Sequence, residues 1–206
     1  MGRHREFDPE RALEAALVVF WRKGYEGTSF EDLTQATGVA RPGLYAAFGN
    51  KEALFLKVLD RYEATYVAFM REALGEPHAR DVVRRILEGN AIVHTLDGES
   101  RGCLGINGAM ACSDEGEPVR QELVRRRAAS EAALRDRLER ARREGDLPAD
   151  ADSTVLAAYV MTIGQGMAVQ AKAGAPRQKL DAIAAHVLAT WPTGLPAASS
   201  ERAGTR

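Results

Sequence analysis

The chain has 206 residues, of which 45% are hydrophobic and 28% charged, and its formal net charge is −1. This composition is typical of a globular protein, and it excludes nucleic-acid binding through an overall positive charge. No apolar run approaches the roughly 18 to 20 residues that span a bilayer, and the charged N-terminus lacks the apolar centre of a secretory signal, so we expect a cytoplasmic protein with no membrane contact.

Apolar residues repeat with the period of an α-helix in segment after segment, and no stretch alternates as a strand would. The sequence therefore predicts an all-α protein of about nine helices. The first helix begins after Asp8 and ends at Gly24. Thr28 and Glu31 have the spacing of a capping box that opens a second helix, and Gly38 is the turn residue that ends it. A third, short helix is predicted over residues 41–48.

Asn50 is predicted to cap a long fourth helix that reaches about residue 74. After a pause at residues 97–102 the helical pattern restarts near Cys103, and the tail after Pro192 has too little apolar surface to fold. Further helices are predicted over about residues 79–96, 117–144, 150–173 and 176–191. We divide the chain into a first unit at residues 1–50, a larger helical unit at 51–192 and a disordered tail at 193–206.

The segment from Thr28 to Lys51 has the pattern of a helix-turn-helix. Two short helices are joined by a tight turn, and their apolar positions are placed to meet. The second helix has little bulk near its start, so an arginine there can donate to guanine. Arg41 is the candidate base-reading residue, Gly43 leaves room for its approach, and the candidate phosphate contacts are Thr28, Ser29, Tyr45 and Lys51.

In residue types and order, TSFEDLTQATGVARPGLYAAFGNKEALF resembles the DNA-binding signature of TetR-family transcriptional repressors. The strong match covers about residues 8–60, and the remainder agrees in helix count and length. The sequence departs from the commonest family pattern at Thr34, Thr37 and Gly43, which affects the expected base contacts rather than the fold. The resemblance implies an N-terminal DNA-binding domain and a larger helical domain for ligand binding and dimerisation.

The resemblance also implies how the chain meets DNA. The residues at 41–43 would face the bases, Tyr45 and Lys51 would touch the backbone, and an arm with Arg3 and Arg5 would reach the minor groove or phosphates. The expected partner is a double-stranded, near-palindromic operator. Two recognition helices about 34 to 36 Å apart would enter successive major grooves.

The larger unit offers candidates for a ligand cavity, although ordinary core packing is the more common reason for an aromatic or methionine side chain on an inward face. Polar side chains among them could orient a ligand or satisfy buried backbone groups. The apolar candidates are Tyr62, Tyr66, Phe69, Met70, Met110, Met161 and Met167, and the polar ones are His94, Asn107 and Gln165. The small-molecule inducer itself is not identified by the sequence.

Residues 102–107, with the pattern Gly-Cys-Leu-x-x-Asn, are similar to a TetR subgroup that includes repressors of the N-ethylmaleimide reductase type, some of which respond to electrophiles or oxidants through the equivalent cysteine. Cys103 at a helix start beside Arg101 would gain thiolate character. A small buried cysteine that only packs is the alternative. Cys112 has less support as a sensor.

Small and apolar residues crowd the last two predicted helices beyond what one packed face needs, which indicates a partner surface. The resemblance places a two-fold, four-helix homodimer interface there. The arginines of residues 117–144 are interleaved with acids, so we interpret this helix as a solvated one with ion pairs rather than a second nucleic-acid surface.

We therefore predict a DNA-binding transcriptional repressor, released from its operator by a small-molecule inducer or by modification of Cys103. The sequence leaves activation open as an alternative to repression. A helical adaptor without specific DNA binding is the alternative. An enzyme is disfavoured because Cys103 with His94 is the only conceivable nucleophile and base, and scattered histidines and two cysteines predict no metal and no cofactor.

Overall fold

The computed structural model describes residues 7–96, 101–108 and 113–194. These ranges contain ten α-helices and no strand, which confirms the all-α prediction. None of the described helices is both long enough and apolar enough to cross a membrane. The helices are α1 (Pro9–Lys23), α2 (Phe30–Thr37), α3 (Arg41–Phe48), α4 (Lys51–Thr65), α5 (Ala68–Ala73), α6 (Ala79–His94), α7 (Leu104–Asn107), α8 (Glu117–Arg143), α9 (Ser153–Lys172) and α10 (Arg177–Ala189).

The limits of α1 follow the predicted signals. The Asp8 carboxylate accepts the backbone N–H of Glu10 at 2.9 Å, which satisfies a donor that the first turn of a helix leaves unpaired. Gly24 ends the helix at φ 73°, a backbone conformation that favours glycine. The apolar face of α1 is fully buried at Leu17, Phe20 and Trp21.

The capping box of α2 lies one residue later than the sequence predicted. Ser29 Oγ accepts the backbone N–H of Asp32 at 3.1 Å, and the Asp32 carboxylate accepts the N–H of Ser29 at 3.0 Å. Thr28 and Glu31 do not form this pair. The Thr28 hydroxyl is buried and donates to the carbonyl of Gly24 at 2.7 Å, because the end of α1 leaves that carbonyl without a helical partner.

The predicted long fourth helix is divided into α4 and α5, which accounts for the tenth helix. The Tyr66 hydroxyl at the break donates to Glu14 on α1 at 2.7 Å. Beyond the break, the ring of Phe69 packs onto Gly89 of α6 so closely that a Cβ on this glycine would overlap with the ring. The helix therefore bends because its two halves pack against different elements.

The buried side chains form two clusters. The first joins α1–α4 with residues of the following part, including Val93, Leu104 and Leu123, so it extends past residue 50. The second joins α6 with α8–α10. Of the predicted tail, residues 195–206 lie outside the described residues, whereas the N–H of Gly194 donates to the carbonyl of Asp146 at 3.1 Å.

Candidate functional site

The helix-turn-helix is held by a small apolar contact between α2, α3 and the turn that joins them. Leu33, Val39 and Leu44 are buried, as the sequence predicted. Gly38 takes a left-handed conformation at φ 69° and ends α2. Gly43 faces the turn, and a Cβ at this position would lie 2.9 Å from Cγ1 of Val39. The sequence assigned Gly43 to the approach of bases, and the structure gives it a second role in packing α3.

Arg41 is exposed at the start of α3, and its guanidinium lies over two aromatic rings. Its guanidinium carbon lies 4.3 Å from the ring centroid of Phe30 and 5.4 Å from that of Tyr45. Its Nη2 donates to the Tyr45 hydroxyl at 3.2 Å, and the two rings stack with centroids 5.0 Å apart. These contacts reduce the side-chain entropy that Arg41 would lose on binding. Sequence reasoning missed Phe30, whose distance from Arg41 along the chain gives no signal.

The remaining candidates near α2 and α3 differ in their exposure to solvent. Ser29, at the N-cap of α2, and Pro42 are exposed. Thr28 is buried, so its hydroxyl is not on the surface that a phosphate contact requires. Arg3 and Arg5 lie outside the described residues.

Lys51 is the first residue of α4, next to the capping side chain of Asn50. Its Nζ lies 4.5 Å from the ring centroid of Tyr25, and the side chain is half-buried. Burial lowers the pKa of the Lys51 ammonium, while the carboxylates of Glu26 and Glu115 oppose that shift. The cation is therefore held beside the helix-turn-helix rather than extended into solvent.

A cavity of about 460 Å³ lies between α4, α5, α6, α8 and α9, with residues 103–106 contributing to its wall. This volume is in the range of sites for small organic ligands. The sequence candidates that line it are Tyr62, Met70, His94, Cys103, Met161 and Gln165.

Several other candidates serve the fold instead. The Asn107 amide donates to the carbonyls of Trp21 and Arg101 at 3.1 and 3.0 Å, so it satisfies backbone groups rather than facing the cavity. Tyr66 bonds to Glu14, Phe69 packs onto α6, and Met167 is buried in the second cluster. Met110 and Cys112 lie outside the described residues.

The side chains of His94, Tyr62 and Cys103 place polar atoms in the cavity wall. His94 is only 2% exposed, and its Nδ1 has no hydrogen-bond partner among the described residues. Burial lowers the pKa of His94 to about 4, with a backbone hydrogen bond to Gly102 opposing that shift, so the ring is neutral at pH 7. The Tyr62 hydroxyl lies 3.7 Å from Cys103 Sγ. The guanidinium carbon of Arg101 lies over the ring of Trp21, 5.3 Å from its centroid.

The cavity also has polar lining residues that sequence reasoning missed. Asn90 of α6 is buried beside His94, and Arg71 of α5 and Arg127 of α8 line the cavity as well. Arg127 belongs to a helix that the sequence marked as a solvated, ion-paired surface. Helical periodicity does not show that one face of this helix borders a cavity.

The ion pairs of α8 confirm the interpretation of its charges. Among the described residues, arginines bond to acids three or four positions away, as in Arg120 with Glu117 and Arg142 with Glu139, each at 2.7 Å. Arg137 is an exception because it is buried and donates to the carbonyl of Glu76 at 2.7 Å. The described residues contain no group of three or more histidine, cysteine or acidic side chains that could hold a metal ion.

One face of α9 carries large apolar side chains in solvent. Val155, Tyr159 and Val169 are 61%, 41% and 48% exposed, and their spacing places them within one helical stripe. Small exposed residues of α10, including Ala182, Ala185 and Ala189, are also free of contacts that would bury them.

Two family models match the chain. Residues 12–58 match the model described as bacterial regulatory proteins, tetR family. Residues 90–187 match the model described as tetracyclin repressor-like, C-terminal domain. The first match contains the helix-turn-helix and the start of α4, and the second contains most of the cavity wall.

Individual proteins are similar along nearly the whole length. The HTH-type transcriptional repressor ComR of Escherichia coli K12 is 37% identical over 93% of this chain and 92% of its own. The structure of a cysteine mutant of the TetR family transcriptional regulator CifR, complexed with 26-base-pair double-strand operator DNA, is 40% identical, with a TM-score of 0.86 over 93% of this chain and all of its own. Reduced E. coli NemR, at 22% identity and a TM-score of 0.72 over 91% of this chain and 97% of its own, shares the fold.

Proposed function

The chain belongs to the TetR family of bacterial regulatory proteins, and from this premise we propose that it represses transcription as a homodimer that a small molecule releases from its operator. Membership confirms the resemblance found at residues 8–60 and makes the chain a DNA-binding transcriptional regulator rather than an enzyme or an adaptor. Repression is supported by the similarity to ComR, which is named a repressor.

The observation that carries DNA recognition is the placement of Arg41. Its guanidinium is exposed at the start of the second helix of the helix-turn-helix and is pre-oriented by the rings of Phe30 and Tyr45. In the proposed complex Arg41 and Pro42 face base edges, and Gly43 allows the close approach of the helix. Ser29, Tyr45, Lys51 and the arm with Arg3 and Arg5 are proposed to contact the backbone, and Thr28 is left out because its hydroxyl is buried.

From this placement we assign different functions to the two parts of the chain. We assign DNA binding to residues 1–50 and regulation and dimerisation to residues 51–192. The exposed stripe of α9 and the small residues of α10 support a two-fold interface between two copies, because burial of such a surface is the main source of stability in homodimers. The complex of CifR with operator DNA supports a duplex as the partner.

Release is proposed to act through α4, since this helix begins at Lys51 beside the helix-turn-helix and lines the cavity with Leu59, Tyr62 and Glu63. A ligand that shifts α4 would change the spacing of the two recognition helices and weaken the operator complex. Cys103 lines the same cavity, so its modification by an electrophile is a second proposed route to release. If the Cys103→Ser variant is released by N-ethylmaleimide as completely as the parent protein, that route is wrong.

The test of the main proposal is binding of the purified protein to a duplex that it selects from random sequence. We expect a near-palindromic site, and Arg41→Ala should weaken this complex about tenfold and relax sequence preference at one position. Lys51→Ala should weaken binding to selected and to scrambled duplexes about equally. It should also lower the number of ions released on binding, measured from the salt dependence of the affinity, by about one.

Arg140→Ala is the matched control, because this arginine is exposed on α8, away from the proposed interface. It should leave the affinity unchanged. Equal affinity for selected and scrambled duplexes would contradict a sequence-specific regulator.

A further inference from the structure

The cavity between α4, α5, α6, α8 and α9 is lined by a buried histidine, by arginines and by apolar side chains. Its body is formed by aliphatic and thioether side chains, which suit an apolar molecule. These apolar residues are Leu59, Val67, Met70, Ile86, Leu134 and Met161.

His94 places a buried hydrogen-bond acceptor in the cavity wall. His94 is 98% buried, since only 2% of its surface is exposed, and one ring nitrogen bonds to the backbone of Gly102. A neutral imidazole that donates from one nitrogen accepts at the other. The Nδ1 of His94 has no partner among the described residues, and a buried polar atom of this kind is normally satisfied. A ligand with a hydroxyl group would satisfy it.

The other lining residues carry an excess of positive charge. Four arginines line the cavity, at positions 71, 125, 126 and 127, and Glu63 is the only acid among the described lining residues. Arg126 bonds to Asp60, Glu63 and Glu122, and Arg125 also bonds to Glu122, so the charges of both are compensated. Arg71 and Arg127 have no ion pair with any described residue.

We infer that the cavity binds an amphipathic organic anion, with its carboxylate toward Arg71 and Arg127, its apolar body against the apolar side chains, and a hydroxyl group toward His94. This inference rests on the proposed function, because it names the chemical class of the inducer. An amphipathic amine is disfavoured by the same lining, since the only acid is already paired with Arg126.

Calorimetric titration of the full chain with four ten-carbon probes tests this inference. The probes are 10-hydroxydecanoate, decanoate, decanol and decylamine, each below its micellar concentration. We expect 10-hydroxydecanoate to bind most tightly and decylamine at least about tenfold more weakly than decanoate. Arg71→Gln and Arg127→Gln should each weaken both carboxylates severalfold and leave decanol unchanged. Arg140→Gln, on the outer face of α8, should change none of these affinities.

The role of His94 is tested separately. His94→Leu should abolish the preference for 10-hydroxydecanoate over decanoate, and His94→Gln, which retains an acceptor, should keep part of it. Tighter binding of decylamine than of decanoate, or unchanged carboxylate affinity in both arginine variants, would overturn the inference.

Operator binding measured without any probe separates the two proposals. Failure to bind a selected duplex contradicts the regulator itself. Normal operator binding together with no preference for the carboxylates contradicts only the assignment of the inducer class.

Discussion

The buried imidazole of His94 forms part of the cavity wall and also carries a hydrogen-bond acceptor. Without a ligand, burial of that acceptor is unfavourable. The ring of His94 lines the cavity, and its Nδ1 has no partner there among the described residues. The unpaired atom is a cost to the free protein that a complementary ligand would remove. A residue of this kind is more informative about a ligand than the apolar side chains around it, which would pack equally well in an ordinary core.

His94 should make the free energy of unfolding depend on pH. Because burial lowers the pKa of His94 from 6.5 to about 4, the unfolded chain takes up a proton before the folded chain does, and stability is lost as the pH falls below 6.5. We expect this residue to account for a loss of about 2 kcal/mol between pH 7.5 and pH 5.

The measurement is urea denaturation of the parent and of His94→Leu at one protein concentration across this pH range. The difference between the two curves isolates His94, since the carboxylates are common to both. Parallel curves would show that the ring is not held neutral by burial.

At the scale of the elements, the orientation of α3 depends on the absence of a side chain at Gly43. A Cβ there would lie 2.9 Å from Cγ1 of Val39, closer than packed atoms approach. Gly43→Ala should therefore destabilise the protein by about 1 to 3 kcal/mol despite the better helix propensity of alanine. It should also weaken operator binding, because α3 has to tilt away from the turn.

A second substitution, at Val39, distinguishes two explanations for an effect of Gly43→Ala, a steric clash with Val39 and the loss of a DNA contact. Val39→Ala removes the obstructing methyl, so the double variant should be less destabilised than the sum of the two single variants, as thermal or urea unfolding would measure. Strict additivity of the two changes would exclude the clash. Operator affinity that recovers in parallel would show that Gly43 acts through packing.

The helical period of the apolar residues does not predict the break between α4 and α5. The apolar stripe continues through Tyr62, Tyr66 and Phe69 without a proline or glycine, and it predicts one helix. In the structure Tyr66 is tied to α1 and Phe69 fits over Gly89 of α6. Residues far apart in sequence set the bend, so a local pattern cannot reveal it.

In the whole molecule, the DNA-reading half is held by the regulatory half at the end of α1. The indole N–H of Trp21 donates to the carbonyl of Gly102 at 2.8 Å, the Asn107 amide donates to the carbonyl of Trp21, and Lys172 Nζ donates to that of Arg22 at 2.8 Å. Gly102 is also bonded to His94 in the cavity wall. A physical connection therefore runs from the cavity to α1, which supports coupling between ligand and DNA.

The proposed homodimer should depend on the exposed stripe of α9. Tyr159→Glu places a charge on this stripe and should raise the dimer dissociation constant more than about tenfold, because an unpaired charge at the core of an apolar interface is costly. The folded monomer should be little affected, since Tyr159 is 41% exposed. Sedimentation velocity over a range of protein concentrations measures the change.

Ala64→Glu is the control, since it adds the same charge to an exposed position of α4. It should remain as dimeric as the parent. If both variants dimerise equally well, the interface does not involve this face of α9.

The sequence by itself determined the helical fold, the limits of α1 and α3, and the identity of the helix-turn-helix, because these follow from local signals: apolar period, capping residues and turn glycines. It also identified Arg41 and six of the side chains now found at the cavity, including His94 and Cys103. It misplaced the capping box at Thr28, since two adjacent hydroxyls compete for that role and only the unpaired carbonyl of Gly24 decides between them.

Only the tertiary structure decided what each polar group faces. Asn107 and His94 are both plausible ligand contacts in the sequence, yet the first donates to backbone carbonyls and the second has a ring nitrogen with no partner among the described residues. Likewise, Arg127 belongs to a helix of ion-paired arginines and still borders the cavity without an ion pair to any described residue. Burial and pairing depend on segments that lie far apart along the chain, so these long-range contacts decide which of the candidate residues form a site.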